Sequence, residues 1–130
     1  MLLMRVEVKC PKTEPELKHA GILFEVLPWL MGRAMSQTPE GEAYRALETI
    51  LEPPSVPIPE GSISFFTVEG WRRVRRHVRT LMDGAKKAGQ PLQLYKLYWD
   101  PGKEDVVYAD QFQVILHRTE RLYSAMIRTS

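Results

Sequence analysis

Residues 62–99 read SISFFTVEGWRRVRRHVRTLMDGAKKAGQPLQLYKLYW, and the spacing of their apolar positions changes twice. From Ser62 to Val68, Ile63, Phe65 and Thr67 alternate with Ser64, Phe66 and Val68, which predicts a strand covered on both faces. From Glu69 to Ala88 the spacing becomes helical: Trp71, Val74, Val78, Leu81, Met82 and Ala85 share about a 100° arc. Gly89 and Pro91 supply the usual glycine-then-proline stop. Leu92 to Trp99 is again a strand. Strand, helix and strand in this order predict a right-handed crossover onto a parallel pair.

Asp100-Pro101-Gly102 is a turn sequence, and Val106 to Tyr108 are expected to return from it as an antiparallel hairpin partner. The last segment can be read in two ways. Val106, Tyr108, Phe112, Val114 and Leu116 could alternate along a strand. Phe112, Ile115, Leu116, Thr119, Leu122, Tyr123 and Met126 fall on one helical stripe, and Asp110 with Gln113 has the form of a capping box. The capping signal favours a helix over residues 110–127.

On the other side of residues 62–99, Pro53 to Pro59 holds four prolines in seven residues, which suits an extended connector and neither helix nor central strand. Before it, Thr38 caps a helix from Pro39 that presents Ala43, Ala46, Leu47, Ile50 and Leu51. An earlier helix is expected to start at a Thr13 cap and run toward Leu27, kinking or restarting at Pro28. Met1 to Cys10 alternates, with Leu2, Met4, Val6 and Val8 on one side and Arg5, Glu7 and Lys9 on the other. That is the pattern of a half-buried strand. The expected order is β-α-α-β-α-β-β-α, an α/β (α+β) fold with a mixed four-stranded sheet and packed helices. At 130 residues the chain suits a single domain over 1–130, large enough to bury one core without disulfides or metals.

Charge is unevenly distributed. Between Lys12 and Glu60 four Lys/Arg face eight Glu, whereas between Glu69 and Gln90 seven Lys/Arg face only Glu69 and Asp83. On the helical wheel Arg72, Arg75, Arg76, Arg79 and Lys86 form a stripe beside the apolar arc, with Lys87 and Arg73 further round. Arginines at i+3 and i+4 repel one another by roughly a few tenths of a kcal/mol per pair. An external anion would offset the repulsion. Phosphate is the simplest, since guanidinium groups fork onto its oxygens. Arg118 and Arg121 on the final segment would enlarge the surface if the two basic faces packed side by side. The competing explanation is a solvated charge run that pairs with the acidic half through Glu40, Glu42, Glu48 and Glu52.

The first helix is apolar nearly all round. Leu17, Ala20, Phe24, Leu27 and Met31 form one stripe while Ile22, Leu23, Val26, Trp29 and Leu30 fill the opposite side. A protein interface centred on Leu23, Val26, Trp29 and Leu30, including a homodimer, would cover that surface, and so would the acidic second helix.

Nothing in the sequence points to catalysis. His19, His77 and His117 lie on three separate expected helices, and neither a His-Glu-x-x-His pair nor a Gly-rich phosphate loop nor a Gly-x-Ser-x-Gly elbow is present. No catalytic residue, metal ligand or cofactor is assigned. The single cysteine, Cys10, allows no intrachain disulfide and suits a reducing cytoplasm. The N-terminus lacks the form of a signal peptide. The longest apolar stretch, Ala20 to Met31, is interrupted by Glu25 and Pro28 and is too short for a membrane helix. The chain is therefore expected to be a non-enzymatic binding protein with nucleic acid as its partner. The alternative is a regulatory, inhibitory or adaptor protein that grips an acidic surface of a larger protein, such as a component of the transcription or other nucleic-acid-handling machinery.

Overall fold

The computed structural model describes residues 1–8, 38–51, 53–87, 89, 91–100 and 102–129. The expected apolar first helix, with Leu23, Val26, Trp29 and Leu30, lies outside the described residues, as do Cys10 and Glu52. Strand β1 (Leu2–Val8) is followed by α1 (Pro39–Ile50), β2 (Ile63–Thr67) and α2 (Val68–Lys87). Strand β3 (Leu92–Tyr98), a 3₁₀ turn (Lys103–Asp105), β4 (Val106–Ala109) and β5 (Gln113–Leu116) come next. The chain continues through α3 (Glu120–Ala125) and β6 (Ile127–Thr129).

The sheet has six strands in the order β4-β5-β2-β1-β3-β6, and every neighbouring pair is antiparallel. The expected four-stranded mixed sheet is corrected on both counts. Strands β2 and β3 do run in the same direction around α2, but they do not pair, because β1 lies between them and is antiparallel to each. The expected half-buried first strand is corrected for the same reason. A central strand is covered on both faces, so Arg5 and Glu7 are buried along with Leu3, Met4 and Val6. Residues i and i+2 of a strand share a face, which brings Arg5 Nε to 2.7 Å from Glu7 Oε2. Arg5 Nη1 also donates to the Ser64 carbonyl at 2.8 Å, and its guanidinium lies 5.9 Å from the Phe65 ring centroid.

Alternation along the strands separates two apolar clusters. On one face Met4, Val6, Phe66, Leu92 and Leu94 meet Val74, Val78, Leu81 and Ala85 of α2 and Ala43 and Leu47 of α1. On the other, Leu3, Ile63, Phe65, Leu97, Val114 and Leu116 meet Leu122 of α3. The buried face expected for α2 is the observed one, with Trp71 and Met82 partly covered at its margins. Thr38 caps α1 as expected, its Oγ1 accepting from Gly41 N–H at 3.2 Å. The proline stretch 53–59 forms neither helix nor strand. It does not divide the core, since α1 before it and α2 after it bury the same cluster.

The C-terminal quarter departs most from expectation. Strand β4 pairs with β5 and not with β3, because β1 and β6 already occupy both edges of β3. The expected helix over residues 110–127 is instead a strand, a six-residue helix and an edge strand. Asp110 and Gln113 do interact, but across a hairpin turn. Asp110 Oδ1 accepts from Phe112 N–H at 2.8 Å and Gln113 N–H at 2.9 Å. Asp110 N–H donates to the Gln113 carbonyl at 2.9 Å, and Tyr108 OH donates to Asp110 Oδ2 at 2.8 Å. A carboxylate reaching N–H groups two and three residues ahead serves a turn as well as a helix start, so the local signal was real and its context was not local.

That turn rests on the start of α2. Thr67 Oγ1 caps the helix by accepting from Gly70 N–H at 2.9 Å and donates to the Gln111 carbonyl at 2.7 Å. Thr67 N–H donates to the Phe112 carbonyl at 3.0 Å. Gly70 permits this approach, since a Cβ there would overlap the Phe112 carbonyl.

Two outcomes test this packing. In an ordinary exposed helix interior Gly→Ala is stabilising by about 0.5–1 kcal/mol. Gly70→Ala is expected to have the opposite sign, losing about 1–3 kcal/mol in urea unfolding because backbone must move. Gly84→Ala, which meets only the flexible Glu40 side chain at 2.5 Å, is expected to be neutral or stabilising. Burial pushes the Asp110 carboxyl upward, but hydrogen bonds from Phe112, Tyr108 and Gln113 outweigh it and hold the pKa below its ordinary 3.8. A depressed carboxylate contributes stability in full above that ordinary value and loses it as pH falls through the lowered one. Acid unfolding monitored by circular dichroism should therefore show a component below pH 3.8 that Asp110→Asn removes.

Candidate nucleic-acid interface

Helix α2 is placed by its buried face on the sheet and by the Thr67 cap, and these constraints determine which side chains point outward. Arg72, Arg73, Arg75, Arg76, Arg79, Lys86 and Lys87 are all exposed. The helix is 20 residues long, so at 1.5 Å per residue the row from Arg72 to Lys86 extends about 21 Å.

The competing explanation, a pairing of this row with the acidic half, finds no ion pair among the described residues. The ion pairs there are Met1 with Asp100 and Arg5 with Glu7. Helix α1 packs against α2 through Ala43 and Leu47, yet none of its described acids forms an ion pair with the row. Glu40 lies against Gly84. Glu48 is close enough to the Tyr44 hydroxyl that its carboxylate, together with burial, raises that hydroxyl's pKa.

The basic residues differ in what their local structure explains. Lys86 and Lys87 stand in the last turn, where cations complement the helix dipole. Arg73 lies over the Phe112 ring, 5.4 Å from its centroid, and joins α2 to the β4–β5 turn. Arg72, Arg75, Arg76 and Arg79 have neither explanation. None of the four stands in the last turn, where the dipole would favour its charge.

Arg118 and Arg121 do not extend this surface. Helix α3 packs through Leu122 on the sheet face opposite α2, so the two basic helices are not side by side. Each arginine instead covers an aromatic ring: Arg118 lies 5.0 Å from the Tyr123 centroid and Arg121 lies 5.6 Å from the Trp99 centroid. Sequence spacing offered no signal for the second pair, because turns and strands of the C-terminal quarter intervene between Trp99 and Arg121. Shallow open depressions flank α3, one beside Arg118 and Tyr123 and one beside Arg121 and Trp99.

Among the described residues no three His, Cys, Asp or Glu side chains converge as a metal site, and no helix is long and apolar enough to cross a membrane. Comparisons with protein-family models, with curated proteins and with solved structures return no match.

The division among the arginines can be measured by unfolding. Arg73→Ala should lose about 0.5–1 kcal/mol, the contribution of a cation–π contact at an exposed site. Arg75→Gln with Arg79→Gln should leave stability unchanged or raise it by a few tenths of a kcal/mol, roughly the repulsion relieved, with the gain shrinking as salt is added.

Proposed function

We propose that this chain is a non-enzymatic nucleic-acid-binding protein that lays α2 along a phosphate backbone. One observation carries the reading: Arg72, Arg75, Arg76 and Arg79 form an exposed row on a rigidly seated helix and have no ion-pair partner among the described residues. Planar guanidinium groups lose hydration readily and match phosphate oxygens bidentately, and a row of them suits a linear polyanion better than a single small anion. Backbone contacts of this kind supply affinity and orientation without reading sequence. The absence of a second cysteine agrees with a reducing, cytoplasmic setting in which such a partner is found.

Binding should depend steeply on salt. Four phosphate contacts on a duplex imply a slope of log K against log salt of about −3 to −4, roughly a hundredfold loss over a fourfold rise in salt. Titration of a labelled duplex by fluorescence anisotropy at several ionic strengths measures the slope. Arg75→Gln with Arg79→Gln should reduce it by about two. Absence of binding at low salt would overturn the reading and leave an acidic protein surface as the row's partner.

A further inference from the structure

The arginine–aromatic pairs around α3 form a second surface, which the row on α2 does not account for. Trp99 and Tyr123 pack on the apolar cluster of their sheet face, so their rings are held in place from beneath. The Arg121 and Arg118 guanidinium groups lie over these rings at 5.6 and 5.0 Å, and both arginines are exposed. A guanidinium held against an aromatic ring is pre-organised on one side and leaves its other side to solvent. That free side is a flat, cationic and weakly hydrated platform, and unpaired nucleobases stack on arginine planes as they do on aromatic rings.

We propose that Arg118 over Tyr123 and Arg121 over Trp99 form a stacking site for unpaired bases of single-stranded nucleic acid. Bases within a duplex are already stacked and offer no free faces, so this surface selects single strands, whereas α2 contacts phosphates in either form. Glu120 lines both depressions. Its carboxylate repels phosphate and accepts from base amino groups, which favours bases inward and backbone outward. DNA and RNA share the stacking chemistry. The ligand class is that of the proposed function, but the residues are separate and lie on the opposite sheet face.

The test uses the full chain and short labelled oligonucleotides of one mixed sequence, as single-stranded DNA, single-stranded RNA and duplex DNA. Arg118→Lys with Arg121→Lys keeps the charge and removes the planar groups. Both positions are exposed, and circular dichroism verifies the fold. Stacking is worth enough per base that loss of the two platforms should weaken single-strand binding about tenfold or more, with duplex binding unchanged. The DNA and RNA arms show whether one source is preferred. Single-strand affinity equal to the parent's, or an equal loss on single strand and duplex, would overturn the site. Arg75→Gln with Arg79→Gln should lower duplex binding. If that variant leaves duplex binding intact, the α2 reading fails while the outcome with the lysine pair still decides the α3 site.

Discussion

Strand β1 has to be buried on both faces, and the rest of the sheet is arranged around that requirement. Its apolar side provides Met4 and Val6 to the cluster under α1 and α2. Its other side provides Leu3 but also Arg5 and Glu7. Charges removed from water are costly unless they are paired and hydrogen-bonded. Here the pair is made within the strand itself, at i and i+2, with a carbonyl of the neighbouring β2 as further acceptor. An internally neutralised strand can occupy the middle of a sheet, and its position there keeps β2 and β3 apart.

The second organising contact is the junction at Thr67, Gly70 and Phe112. One threonine ends β2, caps α2 and holds the β4–β5 turn, and one glycine lets the turn reach the helix. Helix α2 therefore has its rotation set at its first turn as well as by its apolar face. The arginine row is consequently a fixed surface, with its spacing determined before any ligand arrives. What is fixed is the backbone from which the side chains project; the exposed guanidinium groups keep their own rotamer freedom.

Because α2 and α3 take opposite faces of the sheet, the basic residues fall into two chemically different groups. Those on α2 are spaced along an axis and, Arg73 apart, have no aromatic neighbour among the described residues. Those at α3 are paired one to one with rings. The proposed phosphate contact rests on the first arrangement and the proposed base stacking on the second.

Much of this was legible in the residues. The boundaries of α1, β2, α2 and β3, the buried stripe Val74, Val78, Leu81 and Ala85, and the exposed arginine row follow from local spacing, caps and stop signals, which act within a few residues of themselves. Three features could not be read that way. Arg5 and Glu7 look like the wet side of a strand, and only the strand's central position buries them. Asp110 and Gln113 look like a helix start, and the same hydrogen bonds close a hairpin because β2 offers β5 an edge to pair with. Arg118 and Arg121 look like an extension of the α2 surface, and the packing of Leu122 on the opposite face of the sheet puts them behind it. In each case the sequence by itself determined the local hydrogen-bonding and charge chemistry. Tertiary structure decided which strand is central, which edge is open and which face a helix covers, since those choices depend on pairings between residues far apart in the chain.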